Sequence, residues 1–277
     1  MKTLVIAGGT DGIGKALAAL YLRRGDTVVV IGRNPDKGRS FLDAAHTAGA
    51  TGRAHFVTAD LSLLADTSRA ADEIRTAFPA VDALVLCARH YRSVRTLTAE
   101  GYEENFALFY LSRRLLTHAL AAPLAAAGHP VVVNVAGPGS GIELVRWDDL
   151  QLTRGYRGTT ALAQGGKLND LLGVASAQEY GPAGIRYVLI HPGVTATGFS
   201  GEYDAATLPH IRSMQQHAKP VEAALPPIVG VIDAPPAEPL SAYVEGRRIP
   251  VDTPDFEPGA ARRLHRLTEQ ILGAGPR

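Results

Sequence analysis

Cysteine is nearly absent from this chain, with Cys87 the single one in 277 residues. No internal disulfide can form, and a lone thiol fits a reducing compartment, so a cytoplasmic location is expected. An excess of charge is also missing: 28 basic residues face 27 acidic ones, for a formal net charge of +1. Neither nucleic acid nor an anionic membrane surface is favoured as a partner by that balance. Long apolar runs are absent as well, and none reaches the length needed to span a bilayer. The run that follows Met1-Lys2 breaks at Gly8-Gly9 with no cleavage-like site after it, which argues against a signal peptide. There is no internal repeat and no convincing linker. The proline-rich stretch 234–239 lies too near the end to set off a stable domain, so one domain over 1–277 is expected. Hydrophobic residues make up 46%, ample for a sizeable core, and 20% charge is ordinary for a water-soluble chain.

What is present begins with residues 3–24, TLVIAGGTDGIGKALAALYLRR. Residues 3–7 are apolar and suit a buried parallel strand, while residues 13–22 carry apolar side chains at helical spacing. Between them stand Gly8, Gly12 and Gly14, with Thr10, Asp11 and Ile13 in the same turn. Such a strand–turn–helix unit aims the N–H groups of a helix start at a guest, and the partial positive charge there favours phosphate. Gly8 suits the tight turn, Gly12 the approach of a pyrophosphate, and Gly14 close packing of helix on strand. The Gly-x-x-x-Gly-x-Gly spacing, read with Ala7 before it, resembles the short-chain dehydrogenase/reductase family. That resemblance implies a single Rossmann-like, doubly wound α/β fold: about seven mostly parallel strands, helices on both faces and a substrate lid.

The second strand, 27–31, ends in Gly32-Arg33-Asn34-Pro35. An arginine at this place accommodates a ribose 2′-phosphate, whereas an acid would hold the 2′-hydroxyl. Arg33 without an acid beside it points to NADPH, with NADH possible; an exposed loop arginine is the competing reading. A helix is expected over 36–48 and a third strand over 54–59, ending in Asp60-Leu61. By the resemblance Asp60 holds the adenine amino group; capping the helix that starts near Leu64 is its other role. The fourth strand, 82–88, ends in Leu86-Cys87-Ala88-Arg89 where the family has Asn-Asn-Ala-Gly, so the asparagine that stabilises the central sheet is missing. Cys87, Ala88 and Arg89 are expected beside the cofactor. Arg89, His90, Tyr91 and Arg92 form a basic, aromatic mouth that lines a substrate pocket, contacts cofactor phosphate, or is an exposed loop.

A long helical stretch over 102–126, interrupted or bent at Pro123, places Phe109 where the family keeps a catalytic asparagine. After the strand 131–135, Asn134-Val135-Ala136-Gly137 matches Asn-Val-Ser-Ser, with Gly137 in place of the substrate-binding serine. The helix over 160–180 reads Ala163-Gln164-Gly165-Gly166-Lys167 where the family has Tyr-x-x-x-Lys. The tyrosine is therefore Ala163, while Lys167 remains; its implied role is a hydrogen bond to the nicotinamide ribose, against a surface lysine. The strand 185–191 closes with Pro192-Gly193-Val194-Thr195, the segment that by resemblance holds the nicotinamide carboxamide, and His191 is read as a packing residue. Residues 197–219 depart from core patterning and are expected to be the lid, with Tyr203, Leu208, Ile211 and Met214 able to bury an apolar ring system; a plain surface insertion is the alternative. A helix over 221–232, a strand near 241–244 and an amphipathic helix over 258–272 complete the chain.

The catalytic residues are left unknown. The usual serine and tyrosine positions hold Gly137 and Ala163, and Tyr156, Ser140 and Tyr91 are weak candidates for a replacement acid. The missing pair, the run from Trp147 to Leu152 (WDDLQL) and the run from Lys167 to Gly173 (KLNDLLG) resemble the atypical ketoreductases of actinobacterial aromatic-polyketide pathways, of angucyclinone type. They imply an antibiotic-biosynthesis enzyme in which NAD(P)H reduces a ketone of a polycyclic phenolic substrate that lends its own proton. The other class of reading is a non-catalytic NADP-binding regulator or scaffold. No metal site is expected, and the oligomeric state is left open.

Overall fold

A computed structural model describes residues 1–274. The chain runs through β1 (Thr3–Ala7), α1 (Gly12–Arg23), β2 (Thr27–Gly32), α2 (Pro35–Thr47), β3 (Ala54–Thr58), α3 (Leu64–Ala77) and β4 (Ala83–Leu86). It continues through β5 (Tyr91–Arg92), α4 (Glu104–Phe106), a π-helical turn Ala107–Leu111, α5 (Ser112–Ala119), α6 (Ala121–Ala125), β6 (Val131–Val135) and α7 (Gly158–Tyr180). The last third holds β7 (Arg186–His191), β8 (Gly201–Glu202), α8 (Leu208–His217), α9 (Val221–Asp233), β9 (Leu240–Val244), β10 (Arg247–Ile249) and α10 (Pro258–Gly273). The strands β1, β2, β4, β6 and β7 are runs of valine, leucine, isoleucine and alanine because helices cover both of their faces. One core layer joins Val5, Ile31, Leu84 and Leu189 to α3, α5, α7 and α10, and the other joins Ile6, Val30, Val85 and Ile190 to α1 and α9.

The main sheet has eight strands in the order β10-β9-β7-β6-β4-β1-β2-β3. All neighbours are parallel except the edge pair β9 and β10. The order reverses between β1 and β4, and the crevice at the carboxyl ends of those strands is where a doubly wound sheet takes its ligand. The eighth strand has no conspicuous signal because its hairpin turns through Glu245-Gly246, both at positive φ (49° and 79°), where asparagine or aspartate usually precedes the glycine.

Two expectations need correction. The helical stretch 102–126 breaks at Leu120, whose φ and ψ are −98° and 8°, and Pro123 sits inside α6. It also widens to a π-turn, where Asn169 Nδ2 takes up the Phe109 carbonyl at 2.7 Å. Asp60 does not cap α3. Glu100 does so from a distant loop, accepting from Leu64 N and Ala65 N at 2.6 and 2.9 Å, while Asp60 accepts from Ser62 N and Oγ. Among the described residues no helix is long and apolar enough to cross a membrane.

Candidate active site

The crevice at the sheet reversal opens into a cavity of about 700 Å³ lined from β1, β2, β4, β6, α7, β7 and the segment after it. Gly8 has φ 80°, and a Cβ there would stand 2.7 Å from Ala88 N, so the ends of β1 and β4 approach as no other residue allows. Gly14 is equally restricted, since a Cβ would lie 2.4 Å from Gly8 O, which seats α1 on its strand. Gly12 has φ 48° and faces Thr197, whose Cγ2 would be 2.8 Å from a Cβ. Asp11 caps α1 through Gly12 N at 2.8 Å and pairs with Lys37 at 2.5 Å, which holds its carboxyl below the usual range against the opposing effect of burial. Thr10, Asp11 and Ile13 line the cavity beside these glycines.

At the β2 end, Arg33 is exposed, lines the cavity and makes no hydrogen bond or ion pair among the described residues. Asn34 also lines it, but its Oδ1 caps α2 by accepting from Asp36 N and Lys37 N at 2.9 and 3.1 Å. Lys37 is a second cation here that sequence reading missed; its only signal is its place in the first turn of α2, three residues after the cap. Asp60, Leu61, Cys87 and Ala88 complete this wall. Burial pushes the Cys87 thiol up to about 12, so it is no thiolate nucleophile at neutral pH. On the far side Pro192, Gly193, Val194 and Thr195 line the cavity where β7 ends, and Thr195 Oγ1 donates to Gly193 O at 3.0 Å. A glycine cradle at a helix start, an unpartnered arginine beside a lysine, and the cavity-lining turn after β7 fit a nicotinamide dinucleotide carrying a 2′-phosphate.

Gly137, Ala163 and Phe109 meet in the same cavity. A Cβ on Gly137 would meet nothing within 4 Å, so the room a serine would need is open. The face that α7 turns to the cavity carries Thr159, Leu162, Ala163 and Gly166, with no phenol and no amine. Lys167 does not line the cavity and, in contrast to the expected ribose contact, spends its ammonium elsewhere. It is fully buried, with Nζ 2.8 Å from Asp170 Oδ2 and 3.1 Å from Asp255 O, and it stands 4.9 Å from the centre of the Phe256 ring. Tyr156 is removed from the candidates too: it does not reach the cavity, and its hydroxyl is taken by Glu103, Arg92 O and Asn105 Nδ2. Ser140 and Tyr91 do line the cavity.

The absent asparagine after β4 is replaced by an arginine that sequence reading also missed. Arg113 is wholly buried and ties the ends of β4 and β6 by donating to Val135 O at 2.9 Å, Ala88 O at 3.0 Å and Asn134 Oδ1. Its guanidinium lies 4.4 Å from the Phe109 ring centre, and Arg89, inside the cavity, lies 5.9 Å from the same ring. Burial lowers the pKa of Arg113 to about 10, whereas Arg89 is exposed to solvent. Of the basic mouth, Arg89, His90 and Tyr91 face the cavity, while Arg92 turns away to Glu104, at 2.6 and 2.7 Å, and to Glu202.

Residues 197–219 contribute part of the cavity wall. Their strand β8 pairs with β5 in parallel, Thr195 bridges Lys219 at the base, and Tyr203 stacks on Tyr91 with centroids 5.3 Å apart. Tyr203, Ile211 and Met214 line the cavity; Leu208 points to solvent.

The short chain dehydrogenase family model matches residues 2–147. Oxidoreductase andH of Emericella variicolor is 31% identical over 194 residues, 69% of this chain but only 56% of its own length. A Streptomyces sp. (strain C5) protein provisionally named daunorubicin C-13 ketoreductase DnrU is 28% identical over 98% of this chain and 93% of its own. A short chain dehydrogenase from Burkholderia cenocepacia J2315, solved in complex with NADP, superposes with a TM-score of 0.68 over 88% of this chain and 96% of its own, at 20% identity. NADPH-bound carbonyl reductase from chicken fatty liver gives 0.67 over 90% and 98%, at 17% identity. At that level of identity the two structures establish likeness of fold, and their nucleotides are theirs.

Proposed function

The chain belongs to the short-chain dehydrogenase/reductase family of oxidoreductases, and from that membership we propose an NADPH-dependent ketoreductase of a polycyclic phenolic ketone. The observation that carries the proposal is an asymmetry within one cavity. The cradle of Gly8, Gly12 and Gly14 and the free Arg33 are in place, whereas Gly137, Ala163 and Phe109 bring no acid to the wall they share. A relative named for ketone reduction on daunorubicin aligns with nearly the whole chain, and Tyr91 together with Tyr203, Ile211 and Met214 of the lid lines the cavity where a flat ring system could lie. These features support the resemblance to the angucyclinone C-7 ketoreductase of simocyclinone biosynthesis.

When bound, the cofactor supplies a hydride to the ketone carbon. The chain's own part is to bind, orient and exclude water. Arg33, with Lys37 behind it, holds the 2′-phosphate, the α1 start and Gly12 accept the pyrophosphate, and Pro192 to Thr195 position the carboxamide. The lid keeps the ring against the wall formed by Gly137 and Ala163. Positioning of this kind supplies about 7 to 11 kcal/mol in favourable cases. General acid catalysis adds only ~10² to 10⁴ in rate, so a hydroxyl of the substrate beside its carbonyl can take the place of the missing tyrosine.

Deuterated NADPH with a peri-hydroxylated polycyclic ketone should place deuterium on the new carbinol carbon. Single replacement of Tyr91, Tyr156 or Ser140 should leave appreciable rate. A loss of ~10³ or more from one of them, with cofactor affinity intact, would identify an enzyme acid and reject substrate assistance. Cofactor binding with no turnover across such ketones would favour the regulator.

A further inference from the structure

Residues 137–142 form the stretch of cavity wall to which Gly137 and Ser140 belong. It has few side chains to anchor it, since three of its six residues are glycine. Among the described residues, two hydrogen bonds tie this stretch to other elements. Gly139 N donates to Asp170 Oδ2 at 3.0 Å, and Ile142 N donates to Asp255 Oδ1 at 2.9 Å. Both acids meet at Lys167, whose Nζ donates to Asp170 Oδ2 at 2.8 Å and to Asp255 O at 3.1 Å, over the ring of Phe256. Lys167 and Asp170 are wholly buried. On its other side Gly139, at φ 90°, lies so near Ile249 of β10 that a Cβ would stand 2.8 Å from the Ile249 Cδ1. The wall is thus gripped from behind, by groups that do not line the cavity themselves.

A buried ammonium is tolerated because an acid lies against it, and a buried acid needs its cation in the same way. Lys167 therefore holds Asp170 in place, and Asp170 holds Gly139. Of the three N–H donors a lysine has, two are committed to this clamp. We infer that Lys167 is a positioning residue for the ketone: acting through Asp170 and Asp255, it fixes the backbone wall 137–142 against which the substrate ring lies. The inference rests on the ketoreductase reading and adds to it a support for the substrate side of the cavity. With glycine in place of a serine, that side is shaped by backbone, and a Cβ on Gly137 would meet nothing within 4 Å. Losing the bond to Gly139 N would therefore change the space left for a ring. It would leave untouched the glycine cradle between β1 and α1 and Arg33 after β2, which belong to other elements.

Two double variants of the whole protein separate the acceptor from the charges. Lys167→Met/Asp170→Asn removes both charges and leaves an amide oxygen for Gly139 N, whereas Lys167→Met/Asp170→Leu removes the acceptor as well. In the complex with NADP⁺, amide exchange over 137–142 should match wild type in the asparagine variant and quicken about tenfold or more in the leucine variant. Exchange in β1 and β4 should be unchanged in both. The Kd of that complex for 1,8-dihydroxyanthraquinone, a phenolic ketone used as probe, should rise about tenfold with leucine and less than about threefold with asparagine. The Kd for NADPH should stay within about threefold of wild type in both. With a ketone that wild type reduces, the leucine variant should lose kcat/KM mainly through KM. If the leucine variant does not fold, the asparagine variant decides by its affinities for NADPH and the probe. A loss of NADPH affinity of about tenfold in the asparagine variant would overturn the inference by returning Lys167 to the ribose. Equal exchange or equal probe affinity in the two variants, or failure of the probe to bind wild type, would overturn it too. Absence of ketone turnover would reject the ketoreductase reading without touching the exchange and binding results.

Discussion

Arg33 and Lys167 show how far a residue's identity goes before its surroundings are known. Both are cations at positions where the family uses a cation. Arg33 stands exposed at the mouth of the cavity with its guanidinium uncommitted, whereas Lys167 is sealed behind α7 against Asp170. A hydrogen bond to a charged group is worth about 1.5 to 3 kcal/mol. Arg33→Ala should therefore raise the Kd for NADPH by roughly ten- to a hundredfold and hardly alter that for NADH. Fluorescence titration with both cofactors measures this, and equal losses would reject the 2′-phosphate contact.

At the scale of elements, residues 197–219 are the segment proposed to close over the substrate. Residues 197–219 touch the body through a two-residue strand pair, the Tyr91–Tyr203 stack, the ion pair from Arg92 to Glu202, hydrogen bonds of Ser93 Oγ with Thr207 and Asp204 N, and the Thr195–Lys219 bridge, and their short helix α8 buries only Ile211. Arg92 is held from the other side by Glu104, so it links the lid strand to the buried start of α4. Backbone amides over 197–219 should exchange quickly in the free protein and slow when a ketone joins the cofactor complex. Arg92→Met should speed exchange in β8 without affecting β1 or β6. Mass-spectrometric exchange reads both, and unchanged protection at saturating ketone would make the segment an ordinary surface insertion.

Across the whole molecule, the buried pair Lys167–Asp170 joins α7 to the turn 254–256 that precedes α10, and through Gly139 N to the loop after β6. Burial outweighs the attraction of Lys167 and pushes the Asp170 carboxyl from 3.8 up to about 6; among the described residues its Oδ1 has no partner. A carboxyl raised in the folded state adds stability that is complete below its unfolded value and is lost as pH rises through its folded one. The contribution of Asp170 is thus present below about pH 4 and gone above about pH 6. Urea unfolding should show the stability of wild type, relative to a Lys167→Met/Asp170→Asn double variant, falling between those values. At pH 7 the double variant should be as stable as wild type or more so, because replacing both members of a buried pair is often neutral or stabilising. A difference that stays flat from pH 4 to 7 would mean that Asp170 ionises at its ordinary value.

Local pattern alone was enough for much of this protein. The buried parallel strands read as apolar runs because both of their faces are covered, and the glycine turn read as a cradle because only glycine tolerates the approaches at Gly8 and Gly14. The cavity accordingly gathers Arg33, Asp60, Ala88 and Pro192 to Thr195, all foreseen from strand ends, since strand ends converge wherever a parallel sheet reverses. Tertiary structure decided what depends on direction and on distant partners. Lys167 stands four residues after Ala163, nearly on the same face of α7, and only its packing turns the ammonium aside, onto Asp170 and the Asp255 carbonyl. Tyr156 is consumed by Glu103 and Asn105, about fifty residues earlier in the chain, and Glu100 caps a helix that begins thirty-six residues before it. The meeting of Arg89 and Arg113 at the Phe109 ring follows the same logic. A strand end and a helix interior bring those two charges together, and no spacing along the chain encodes a meeting that only packing creates.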